Sequence, residues 1–171
     1  MLVDSHCHLD FDTFDEDRDQ VIRRAFDAGI DIMVTICTRL SRYDQIRSLT
    51  DVSERLYCSV GIHPHQVAEE DTASLEALIT RAADPKVVGI GETGLDYYYD
   101  QSPREDQKSS FLTHITAARK SGLPLIVHTR DADDDMIQIL QEEMEKGAFT
   151  GVLHCFSSTR KLAETALELG F

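Results

Sequence analysis

The sequence predicts an α/β fold with a parallel sheet, of the (β/α)8 barrel type and covering about six βα units. Short apolar runs of strand length alternate with longer segments that have helical periodicity and charged faces, the pattern of repeated βα units. Five of the six apolar runs finish in a histidine or a glutamate. "LVDSHCH" ends in His6 and His8, "LYCSVGIHPH" in His63 and His65, "KVVGIGE" in Glu92, "LPLIVH" in His128 and "GVLH" in His154. His63, Glu92, His128 and His154 are separated by about the roughly 31 residues of one barrel unit, and His6 to His63 by about two such units.

In chain order, the strands are expected around Leu2–Val3, Asp31–Cys37, Leu56–Ile62, Lys86–Ile90, Leu123–Val127 and Gly151–Leu153. Each is a β-branched or leucine-rich run bounded by turn residues. The helices are expected over Asp17–Ala28, Arg42–Asp51, Thr72–Ala83, Arg104–Ser121, Asp133–Glu145 and Thr159–Leu169. Gly29, Gly122 with Pro124 two residues on, and Gly147 stand where helix ends want a left-handed residue or a breaker. No linker or low-complexity tract divides the chain, so residues 1–171 read as one domain.

Composition narrows the function. With 17 basic and 31 acidic residues among 171, the formal net charge is −14. That opposes a protein that coats nucleic acid with a basic stripe, but not an enzyme that grips it through bound cations. No apolar run reaches the roughly 18 residues of a membrane span, and no signal pattern opens the chain. Cys7, Cys37, Cys58 and Cys155 lie far apart without CxxC spacing, and read as reduced, buried thiols of a cytoplasmic protein.

In parallel α/β folds the C-terminal strand ends share one face, where the site lies. The sequence therefore gathers His6, His8, His63, Glu92, His128 and His154 at one mouth. Residues i and i+2 of a strand point the same way, so His6 and His8 face the barrel axis while Cys7 faces the helices. One strand-end histidine is ordinarily a hydrogen-bonded core residue; repetition on five strands points to metal. Imidazole suits several divalent cations, and a carboxylate bridges two of them. Glu92 is the natural bridge, with His6 and His8 on one ion and His128 and His154 on the other. Two such cations, Mg, Mn or Zn, activate a water and stabilise an anionic leaving oxygen.

Weaker signals surround this core. "GIHPH" places His63 and His65 where either contacts substrate or serves its leaving group. "GLDYYYD" offers Asp96, Tyr97 and two further tyrosines to flank a substrate, stacking on a base or sugar. Arg130, two residues past His128, is a candidate phosphate contact or the partner of Asp131 in an ion pair. "DADDD" (131–135) reads as the acidic first turn of a helix.

"DSHCHLD", "GIHPH", "GETGLDYYY", "LPLIVHTRDA" and "GVLHCF" together resemble the TatD family of metal-dependent deoxyribonucleases, among the amidohydrolase-like barrels. The resemblance runs over essentially the whole chain. It implies a two-metal site held by His6, His8, Glu92, His128 and His154, and hydrolysis of DNA, single-stranded and trimmed from the 3′ end. It also implies two further strands and a late aspartate in a Thr-Asp-x-Pro-like motif. "LELGF" falls about where a seventh strand begins, so the chain is expected to be C-terminally incomplete. Two other readings stand beside it: an amidohydrolase acting on a small amide, lactone or ester, and an inactive truncated metal-binding protein. Glu92, in place of the carboxylated lysine that bridges the metals of many amidohydrolases, favours the nuclease.

Overall fold

In a computed structural model of the chain, which describes residues 1–70 and 74–171, six strands form one sheet. They are β1 (Val3–Cys7), β2 (Ile32–Thr35), β3 (Leu56–Val60), β4 (Val87–Asp96), β5 (Leu125–Arg130) and β6 (Gly151–Leu153). Spatial order follows chain order, and every neighbouring pair is parallel. The helices α1 (Arg18–Asp27), α2 (Tyr43–Leu49), α3 (Leu75–Ala82), α4 (Arg104–Ser121), α5 (Asp133–Lys146) and α6 (Arg160–Leu169) follow the strands in turn. A strand order that never reverses is that of a barrel and not of a doubly wound sheet, whose order switches part-way.

The sheet is curled. The rings of His6, on β1, and His154, just past β6, stack with centroids 3.4 Å apart. A flat sheet would hold its first and sixth strands roughly 24 Å apart, so the curl brings the two outer strands together across one mouth.

The expected alternation holds, with shifted boundaries. β1 runs to Cys7 and so carries His6 itself, and β5 carries both His128 and Arg130. β4 is ten residues long and continues through Glu92 to Asp96, where the sequence suggested an end at Ile90. Gly91 and Gly94 make this extension possible: Gly91 (φ +138°) lies where a Cβ would overlap the Ile126 carbonyl oxygen of β5. Gly94 (φ +137°) pairs with His128 of β5, and a Cβ there would overlap the His128 carbonyl oxygen. Of the helix expected over Thr72–Ala83, Thr72 and Ala73 lie outside the described residues. The Ser74 hydroxyl accepts the Ala77 N–H (3.0 Å) at the start of α3.

The main core lies between the sheet and α3, α4 and α5, joining Val60, Ile62, Ile90, Leu125 and Val127 to Leu78, Phe111, Ile115 and Met136. A smaller cluster under α1 holds Leu9, Ile22, Met33 and Leu56, with Cys7 packed against it. The expected outward turn of Cys7 is thus present. Cys37 and Cys58 are buried, but Cys155 is exposed in the turn after β6; all four are free thiols. Among the described residues no helix is long and apolar enough to cross a membrane.

α4 also buries three polar residues, Gln107, Ser110 and His114. His114, fully enclosed, accepts the Ile62 N–H at Nε2 (3.0 Å), so Nδ1 carries the proton that it donates to the Ser110 carbonyl (2.7 Å). Burial pushes this imidazole down to about 4. The folded pKa lies below the unfolded one, so the stability concerned is complete above pH 6.5 and drains away as pH falls through about 4. Urea unfolding of wild type should lose about 3 kcal/mol more than His114→Gln across that range. Identical pH slopes would sink this assignment. Gly94→Ala should cost about 2 kcal/mol or more through its φ and the His128 clash; an unchanged urea midpoint would refute the close approach.

Candidate metal centre

β4 delivers two buried carboxylates to the mouth, Glu92 (3% exposed) and Asp96 (0%). Four imidazoles surround Glu92. Its Oε1 lies 3.2 Å from His128 Nδ1, 3.6 Å from His63 Nε2 and 4.0 Å from His154 Nε2, and its Oε2 lies 3.2 Å from His6 Nε2. Four different strands or strand ends supply these rings, as the shared C-terminal face requires. They open into a cavity of about 410 Å³, rimmed by Phe11, Thr38, Arg39 and Arg42.

Asp96 is the hub of a second layer. Its Oδ2 accepts from His65 Nε2 (2.7 Å) and His128 Nε2 (2.9 Å), and its Oδ1 from the amides of Tyr98 (3.1 Å) and Tyr99 (2.8 Å). This corrects its expected place beside substrate: every oxygen is already engaged in the interior. The contact with Asp96 fixes the His128 ring with Nδ1 toward Glu92, an arrangement that orients metal-binding histidines. His65 likewise points inward, to Asp96. Tyr97 is half-buried, its hydroxyl donating to Asp135 (2.6 Å) and its ring under Arg104, so it braces the scaffold; Tyr98 and Tyr99 are the exposed members of the triplet.

Electrostatics prepares these groups. Burial opposes ionisation of Glu92, but the hydrogen bond from His128 and the nearness of His6 and His63 hold its carboxyl well below the usual range. Burial pushes His63 down to about 3 and also lowers His8 and His154. These three imidazoles are neutral at pH 7; His8 and His154 thereby keep a lone pair for a cation, whereas the Nδ1 lone pair of His63 already accepts the His65 amide (3.1 Å). His128 moves the other way: burial lowers it, yet Glu92 and Asp96 together raise it.

The donor set fits divalent cations. His6 Nε2 and His8 Nδ1 are buried without a hydrogen-bond partner among the described residues, a costly state that a bound ion would relieve. Ligand atoms converge within 4.8 Å of one another in three groups, His6–Glu92–His154, His63–Glu92–His128 and His65–Asp96–His128. Glu92 is shared by the first two, as a bridge requires. The curl sets the His154 ring beside His6 and brings His128 beside His63, with ring centroids 3.4 and 4.5 Å apart. His8 stands further out, its ring 5.1 Å from His6 and stacked on Phe11.

Arg130 forms no ion pair with Asp131; its guanidinium lies over Tyr98 beside a larger cleft of about 1090 Å³. Asp133, Asp134 and Asp135 occupy the first turn of α5, as expected.

The sequence reading passed over Gln107 and His114. Gln107 accepts the Asp96 N–H (2.8 Å) and donates to the carbonyls of Asp96 (3.2 Å) and Ser102 (2.8 Å), clamping the end of β4. A signal existed: Gln107, Phe111, His114 and Ala118 recur at helical spacing, so two polar residues sit on an apolar face.

A family model described as TatD related DNase matches residues 3–171. Over 173 residues the chain is 40% identical to the uncharacterized metal-dependent hydrolase YcfH of Escherichia coli K12, covering 99% of this chain and 64% of that one. It is 33% identical over 171 residues to the 3′-5′ ssDNA/RNA exonuclease TatD of the same strain, covering 99% and 65%. The crystal structure of YJJV, a TatD homologue from E. coli K12, superposes with a TM-score of 0.88 at 30% identity, covering 99% of this chain and 65% of that one. The chain thus spans a little under two thirds of each of these proteins.

If the cluster takes up cations, Mn²⁺ or Zn²⁺ at about 100 times the dissociation constant should raise Tm by roughly 5–10 °C. Glu92→Ala should abolish most of that rise; an equal rise in the variant would remove the carboxylate from the site.

Proposed function

The chain belongs to the TatD-related DNase family, and from that premise we propose that it carries the metal-binding part of a phosphodiesterase that trims single-stranded nucleic acid from the 3′ end. The six βα units form part of one hydrolase barrel domain acting in the cytoplasm, a setting that the four free cysteines support. The observation that carries this reading is Glu92, a buried carboxylate with His6, His63, His128 and His154 all within 4.0 Å.

Glu92 would bridge two divalent cations, Mg, Mn or Zn, with His6, His8 and His154 on one side and His128 on the other. When bound, these ions supply charge to stabilise a phosphoryl oxygen and to acidify a water. The rest falls to the chain's own residues. Asp96 holds His128 with Nδ1 toward Glu92. His63 accepts the His65 amide at Nδ1 (3.1 Å), which leaves its proton on Nε2, the nitrogen facing the cavity's carboxylate. Being neutral, His63 would donate a hydrogen bond to a phosphoryl or leaving oxygen without acting as a cationic acid. Arg130 makes no ion pair among the described residues, and its forked donors would meet a substrate phosphate.

The test is a 5′-labelled single-stranded oligodeoxynucleotide incubated with Mn²⁺. Shortening from the 3′ end is expected, and Glu92→Gln should lose it by a factor of 100 or more. Turnover unchanged in the variant would overturn the assignment, as would cleavage of small esters or cyclic amides with no cleavage of DNA.

A further inference from the structure

Tyr98 and Tyr99 are large aromatics left 56% and 53% exposed beside the site, at the end of the strand that carries Glu92. Isolated exposed tyrosines need no explanation, but these are built in place. The Asp96 carboxylate accepts both of their amides, tying the turn to the oxygen network of His65 and His128. The two rings meet edge to face at 4.8 Å, and Tyr99 meets the His65 ring at 5.3 Å. The Arg130 guanidinium stands 4.2 Å from the Tyr98 centroid and 5.2 Å from that of Tyr99. Arg130 makes no ion pair and donates no side-chain hydrogen bond among the described residues, although Asp131 and Asp133–Asp135 line the same cleft. In a chain with 31 acidic and 17 basic residues, this is a cation reserved from its own carboxylates.

We propose that Tyr98, Tyr99 and Arg130 form a stacking ledge that receives unpaired nucleobases next to the bond being cleaved, with Arg130 turned to the accompanying phosphate. The inference rests on the nucleic-acid reading above and adds the residues that select a substrate with accessible bases. Aromatic faces stack on any base, and a guanidinium against them adds a cation–π contact while leaving its donors for phosphate. A paired duplex buries its base faces and would find no purchase on the ledge.

Fluorescence anisotropy in Mn²⁺ tests it, with a 5′-fluorescein octathymidylate and an abasic octamer, both with phosphorothioate linkages that resist cleavage. Wild type should bind the base-bearing strand roughly 10-fold more tightly. Tyr98→Ala/Tyr99→Ala should bring that ratio close to one at an unchanged Tm, and Arg130→Gln should weaken both strands. A ratio that survives in the double variant, or equal binding of both strands by wild type, overturns the ledge and leaves the nucleic-acid reading standing. Binding of neither strand by wild type overturns that reading and the ledge with it.

Discussion

An ionised carboxylate in a protein interior is tolerable only when its lone pairs are engaged and its charge is met. β4 carries two of them four residues apart, and much of the molecule is arranged to satisfy that demand. Around Glu92 stand imidazoles from β1, β5 and the ends of β3 and β6. Around Asp96 stand two further ring nitrogens and two backbone amides. The two sets share His128, which touches one carboxylate with each of its nitrogens.

Holding these groups in register is the task of ordinary packing. Gly94 lets β4 approach β5 closely enough for His128 to reach both acids. From the outside, α4 grips the sheet through two buried polar side chains: Gln107 satisfies the backbone at Asp96, and His114 satisfies the amide just before His63. The same apolar face that buries Phe111 and Ile115 thereby sets the positions of groups at the mouth. A buried polar side chain is costly unless fully bonded, so each one also specifies a single placement of the helix.

The alternation of apolar runs and amphipathic segments was enough to read a parallel sheet wound in chain order, since it depends only on burial and period. Ligand-type residues at strand ends were legible for a related reason: His63, His128 and His154 interrupt apolar runs with no packing purpose of their own. What stayed hidden were properties of curvature and tautomer. Linear order suggests His6 with His8 and His128 with His154, whereas the curl pairs His6 with His154. Asp96 looked like a loop residue because β4's extension depends on glycine backbone geometry that no hydrophobic pattern records. Tyr97, Tyr98 and Tyr99 are identical in composition, and only the turn held by Asp96 decides that the first braces α5 while the others face outward.

The stacked rings of His6 and His154 also have a kinetic meaning. They belong to the first and sixth strands, so their meeting closes one of the longest loops in the chain, and such non-local contacts form slowly because loop entropy must be overcome first. During synthesis β1 emerges before β6, and His6 waits while the more than a hundred residues between them follow. Until β6 docks, the Glu92 carboxylate lacks the imidazole of His154 that stands 4.0 Å away in the folded chain. A cation at the mouth would be held by groups that the curl brings together, so its uptake would favour the curled sheet over an open one.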